Sequence, residues 1–272
     1  IPETTKEDKV KVTDIFGMIK TNGALRIRLA DMLFTGFIWN FLFATATYYA
    51  KWAYCTDLTT GAVDTAKLGT FTMVSSLLMF FPLIIGTLVA SPIMKAIGSP
   101  IRFHRILILL EFVPGGILFV LQMVGLLQSL PAVYLLCMGV CACAIGMDYI
   151  PGEVINIEAM DYEIYKNGKD RSALCNAANK FLGKAQSAVA SGLVGVILVA
   201  VGYEVDSATD TFLGELSSIP VMLDWFIVIM GLIPFFLGLV GWLVLKRYPI
   251  TDEIRADMHE KLSGTSHAAG NT

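Results

Sequence analysis

Mostly apolar stretches, each long enough to cross a lipid bilayer, recur at 30–50, 68–90, 106–128, 131–150, 174–202 and 220–245. A hydrocarbon core about 30 Å thick takes roughly 20 apolar residues of helix. The pattern therefore predicts an all-α polytopic membrane protein with six transmembrane helices. No turn-rich linker divides the six, and no short solenoid-type period repeats, so one bundle over 30–245 is expected, with a leader at 1–29 and a tail at 246–272. The first three and last three helices must run in opposite orientations, which permits an inverted repeat, although no such symmetry is visible in the letters.

The fifth span is dense in small residues: Gly183, Ala185, Ser187, Ala188, Ala190, Ser191, Gly192 and Gly195. Small side chains let backbones approach where lipid supplies no drive to associate, so this helix is expected to be central. Pro82 in the second span and Pro114, with Gly115 and Gly116, in the third can bend their helices, either as tolerated kinks or as functional ones.

Composition agrees with lipid as the solvent: 55% of the 272 residues are hydrophobic and 16% charged, against roughly a quarter charged in soluble domains. A net charge of -3 with scattered basic residues argues against a nucleic-acid partner. Lys and Arg gather in the leader, at 95–105, at 166–171 and in the tail, whereas Lys51 and Lys67 fall on the other side. The positive-inside bias then places both termini in the cytoplasm of a multi-pass cell-membrane protein. The polar opening IPETTKEDKVKVTD has no signal-peptide apolar region and no initiator Met, which suggests a chain that begins partway through a longer protein.

Four of the five cysteines lie in or at the edge of apolar segments and read as small core residues; Cys141 and Cys143 fall on different helix faces, against a metal site. The histidines His104, His259 and His267 are assigned to loop or tail, so no intramembrane histidine relay is expected. There is no GxSxG, HExxH or GxxxxGK[ST] sequence, so neither an enzyme nor direct ATP-driven transport is expected, and no cofactor.

Candidate chemistry lies where polarity is costly, roughly 2.5–3.5 kcal/mol for a charge at mid-membrane on the mildest scales. Lys184 is about 15 Å into the fifth helix if that helix starts near 174. Asn176, Lys180, Lys184, Ser187 and Ser191 follow one helical face, a polar stripe that implies a watery cavity. Lys180, a turn nearer the surface, either joins that stripe or snorkels. Asn40 is assigned to the cavity, while Tyr48, Tyr49, Lys51 and Trp52 read as an interfacial anchor. Glu111 is either an intramembrane carboxylate or the partner of a nearby cation. Asp31 and Asp148, near helix ends, are explained by hydration.

The stretch MDYEIYKNGKDRSALCNAANKFLGKAQSAV, residues 160–189, read as a loop and helix start, is the most specific in the chain. With Glu158 it resembles the signature of the glycoside-pentoside-hexuronide:cation symporters, the melibiose carrier family of the major facilitator superfamily, through Glu158, Asp161, Tyr162, Lys166, Gly168, Lys169, Arg171, Phe181 and Lys184. YYAKW at 48–52, SPIMKAIGSP at 91–100 and RYPITDEIRADMHEKL at 247–262 resemble other landmarks of that family in the same order, the last a Pro-containing turn followed by an amphipathic helix. The chain departs from the family pattern at Glu158, usually Asp, at Glu163 and Ile164, and at Asp170, usually Arg.

The resemblance implies helices seven to twelve of a twelve-helix transporter, whose partner is an amino-terminal six-helix half. It implies sugar symport coupled to Na⁺ or H⁺, the coupling ion bound mainly by that other half. This half would supply the second cavity wall, with Lys184, Lys180, Asn176, Asn40 and Glu111 as candidates, and a cytoplasmic gate from Glu158, Asp161, Tyr162, Lys166, Gly168 and Arg171, joined by Lys95 and Gly98. Other readings are a carrier of a lipid or other amphiphile on the same fold and a non-transporting six-helix scaffold. Trp39 beside Asn40 would suit sugar stacking, and one lysine in an apolar cavity would suit a charged headgroup.

Overall fold

The computed structural model describes residues 12–168 and 170–269. Residues 1–11 of the expected leader and Lys169 of the signature lie outside them. A short helix, α1 (Val12–Thr21), precedes α2 (Gly23–Tyr54), α3 (Thr65–Ile97), α4 (Pro100–Met123), α5 (Pro131–Asn167) and α6 (Ser172–Ala200). The last crossing is α7 (Ser218–Ile227), a π-helical turn (Val228–Leu232) and α8 (Ile233–Val244), and α9 (Asp252–Ala269) follows. Among the described residues six helices are long and apolar enough to cross a membrane, so the expected multi-pass all-α architecture is the observed one.

The helices end on polar signals beyond the apolar runs. Asn22 caps α2 by accepting from Leu25 N at 2.8 Å and donates to Ala159 O at 2.9 Å, tying the start of α2 to the late part of α5. Asp64 caps α3 through Lys67 N at 2.9 Å, and Pro100 and Pro131 open α4 and α5, where a missing N–H costs nothing. Gly98 (φ 74°) and Gly168 (φ 64°) end α3 and α5 in the left-handed conformation. These caps correct the sequence reading in two places. Residues 160–167 are the last two turns of α5 rather than a loop, and α4 begins at Pro100, so His104 is a helix residue. At about 1.5 Å per residue, a helix as long as α5 greatly exceeds the membrane, and its polar end escapes an apolar-run search.

α3 and α5 pack backbone to backbone: a Cβ at Gly86 would strike Cys143 O, and one at Gly146 would strike Leu83 O. Gly115 and Gly231 do the same for α4 and the π-helical turn. Tyr49, Trp52, Tyr54, Tyr134 and Phe226 form the aromatic part of the main core. At that end Lys51 pairs with Asp210 at 2.6 Å and lies 4.8 Å from the Trp52 ring centroid. A second core joins Met18 of α1, Leu25 of α2, Tyr162 of α5, Leu174 of α6 and Met258 of α9 at the opposite end. α3 exposes Leu77, Phe81, Ile84 and Leu88, an outer face suited to lipid.

Candidate functional site

A cavity of about 280 Å³ opens among α2, α4, α5 and α6. Its polar lining runs along single helix faces: Arg28, Thr35 and Trp39 on α2, and Asp148, Gly152 and Asn156 on α5, with Asn40 beside the first row. Glu111 enters from α4 and Gln186 from α6. Two glycines make room for side chains here. A Cβ at Gly36 would lie 2.5 Å from Gln186 Oε1, and one at Gly152 would lie 3.2 Å from Arg28 Nη2.

The wall carries a buried charge cluster. Arg28 donates from Nη1 to Asp31 Oδ2 at 2.6 Å and from Nε to Asn156 Oδ1 at 2.8 Å. His104 is 1% exposed and stands between two carboxylates, its Nε2 2.9 Å from Asp31 Oδ2 and its Nδ1 on Asp148 Oδ1. A ring nitrogen facing a carboxylate must donate, so a ring held at both ends by carboxylates carries both protons and is an imidazolium. Nη1 of Arg28 lies 3.3 Å from the same Nε2 because both donors converge on Asp31 Oδ2. Asp31 is fully buried, which a carboxylate tolerates only with such partners.

The hydration reading of Asp31 and Asp148 and the loop placement of His104 are thereby corrected. All three belong to one cluster, with His104 in the opening turns of α4. A signal for it existed: His104 and Glu111 are seven residues apart, two helical turns on one face, once α4 is taken to start at Pro100.

Of the expected cavity residues, Asn40 and Glu111 line this one. Asn40 donates to Gly36 O at 2.8 Å, and Glu111 is 7% exposed. Asn176, Lys180, Lys184, Ser187 and Ser191 are exposed on the other side of α6. Two residues of helix turn about 200°, so Gln186 enters the cavity and Lys184 points away from it. Gln186 donates to Met32 O at 2.6 Å and Leu33 O at 3.1 Å, joining α6 to α2.

Glu158, Asp161, Tyr162, Lys166, Gly168 and Arg171 of the expected gate lie along the last turns of α5 and just beyond it, whereas Lys95 and Gly98 stand apart at the end of α3. Glu158 accepts from Arg255 of α9 at 2.6 and 3.2 Å. Tyr162 is buried, with Lys166 Nζ 5.5 Å from its ring centroid, and Asp161 is half-buried. Arg171 reaches the buried Glu163 at 3.5 Å, a long ion pair. Gly168 and Gly98 act as helix terminators, and Lys95 is exposed on the last turn of α3.

A family model described as MFS/sugar transport protein matches residues 2–252. No curated protein and no solved structure matches the chain.

Proposed function

The chain belongs to the MFS/sugar transport protein family of the major facilitator superfamily, and from that premise we propose that it forms the carboxyl-terminal half of a sugar:cation symporter working by alternating access. The observation that carries this reading is the lining of the cavity. Asn156 gives its amide oxygen to Arg28 and leaves its NH₂ to a ligand, Gln186 gives its NH₂ to α2 and leaves its oxygen, and Trp39 adds an indole face. Alternating donors and acceptors beside an aromatic face suit a hydroxyl-rich ring.

At about 280 Å³ the cavity is just below the roughly 300–1,000 Å³ of small-molecule sites, which fits one wall of a site completed by a second six-helix bundle. The exposed stripe from Asn176 to Ser191 on α6 fits the same partner, since unpaired charges such as Lys180 and Lys184 are costly on a lipid-facing surface. Basic residues concentrated at the α1 and α9 end support a cytoplasmic location of both termini in a cell-membrane protein. Glu158, Asp161, Lys166 and Arg171, near one another at that end, are then the inner gate.

Counterflow of radiolabelled disaccharides, pentosides and glucuronides into vesicles containing the complete transporter tests this, with Na⁺ present or absent. One class should exchange in a cation-dependent way, and Trp39→Ala should lower that exchange at least tenfold. Absence of any sugar exchange by folded, inserted protein would overturn the sugar assignment and direct attention to amphiphiles on the same fold.

A further inference from the structure

We infer that Glu111 is a proton-binding carboxyl of the coupling machinery, so that this half of the molecule carries a coupling site of its own. The inference rests on the transport reading above for its purpose, but the site itself is argued from the charges around it. Two cations, Arg28 and His104, meet two carboxylates, Asp31 and Asp148, and every one of the four has a hydrogen-bonded partner of opposite charge. That set is electrically complete.

Glu111 is the fifth group and has no counter-charge left. Its side chain is more than nine-tenths buried, lines the cavity and has no hydrogen bond or ion pair among the described residues. An uncompensated carboxylate in such a place costs several kcal/mol or more, and protonation removes that cost. The groups facing it from the packed elements are Arg28 and Asp31 on α2, His104 on its own helix, Asp148 and the Cys141 thiol on α5, and the Gln186 amide on α6. Glu153 stands exposed on the rim of the same cavity.

The geometry favours a proton over a metal cation. Asp31 and Asp148 are taken up by His104 and Arg28, so Glu111 is the one buried carboxylate of this wall left to act as a ligand. Among the described residues no group of three or more His, Cys, Asp or Glu side chains could hold a metal ion, whereas a proton needs one carboxyl alone and turns it into a neutral hydrogen-bond donor. Deprotonation has the opposite effect. A bare Glu111 carboxylate competes with Asp31 and Asp148 for His104 and Arg28, and these partners lie on α2, α4 and α5. The proton on Glu111 thus biases the contact among three of the four helices that enclose the cavity, as coupling requires. His104 acts through Asp31 and Asp148 and is a positioning residue.

The test uses the complete transporter in lipid, with infrared titration of protonated carboxyl absorption in D₂O and sugar-driven proton uptake in vesicles. The unsubstituted protein should show a carboxyl band that persists well above the ordinary carboxylate range, and Glu111→Gln should remove it. The same variant should lose sugar-driven proton uptake and active accumulation, and the pH dependence of its counterflow should be flattened. A spectrum without such a band, or a band unchanged in Glu111→Gln, overturns the assignment even if sugar is transported. The band's loss in Glu111→Gln sustains it even if no sugar exchanges, in which case the substrate reading alone fails. Transport that tracks Na⁺ with no proton movement, and a Glu111→Gln variant that loses only Na⁺ dependence, would show that the carboxylate holds a metal cation and overturn the proton.

Discussion

Arg255 of α9 holds Glu158 of α5 with two guanidinium hydrogen bonds, from Nε at 2.6 Å and Nη2 at 3.2 Å. Both side chains are largely shielded, at 18% and 12% exposure, so the pair lies between the surface ion pairs that contribute little and the buried ones whose rupture costs most. It connects the tail to Glu158, the first residue of the proposed gate. Arg255→Ala is expected to lower stability by about 1–3 kcal/mol and to expose α9 to limited proteolysis. A tail that stays protected in this variant would mean that Ile250 and Met258, packed in the same core, hold it without the ion pair.

His104 is the keystone of the cavity wall. Its replacement by Ala leaves Asp148, 19% exposed, without its cationic partner and strips one of the two donors from Asp31. Removing one partner of a buried charge set costs about 3–5 kcal/mol, so His104→Ala should melt far below the unsubstituted protein in detergent. Adding Asp148→Asn removes the orphaned charge and leaves Arg28 with Asp31. The double variant should therefore recover about 1–3 kcal/mol as a coupling energy. Strictly additive losses would mean that the two side chains do not act as a pair.

The six crossings were legible because apolar runs of membrane length survive any choice of boundary, and the amphipathic tail helix was legible as α9. The charge cluster was not, because its bonds join residues 73 and 128 positions apart, Asp31 with His104 and Arg28 with Asn156. His104 suffered further from a search for apolar runs: it falls in the polar opening of α4, and only Pro100 as first helical residue brings it inside. Lys184 stood out for the opposite reason. A lone charge in an apolar run is conspicuous in the letters, while Gln186, two residues on and facing inward, attracts no notice.

The α3–α5 contact depends on two glycines. A methyl at Gly146 would meet the Leu83 carbonyl, and one at Gly86 the Cys143 carbonyl, neither of which can rotate aside as a side chain would. Alanine gains roughly 1 kcal/mol of helix propensity over glycine, but overpacking against backbone costs about 1–3 kcal/mol, so sterics should win. Gly86→Ala and Gly146→Ala are each expected to lower the melting temperature. Gly69→Ala, on the first turns of α3 with nothing within 4 Å of its Cβ, should raise it slightly. Equal responses at the three positions would remove the close approach as the explanation.

Lys184 and Gln186 lie on opposite faces of α6, and substitution should separate the two. Gln186→Ala breaks two hydrogen bonds to the α2 backbone, at Met32 and Leu33, and is expected to cost about 1–2 kcal/mol of stability. Lys184 is exposed and has no hydrogen bond or ion pair among the described residues, so the melting temperature of Lys184→Ala should stay within the change set by about 0.5 kcal/mol. If the stripe meets the other half of the transporter, the same variant loses counterflow at least tenfold despite that stability. Normal transport by Lys184→Ala would make the lysine a snorkelling surface residue, and the substrate cavity would then be confined to the α2, α4, α5 and α6 lining around Trp39 and Asn156.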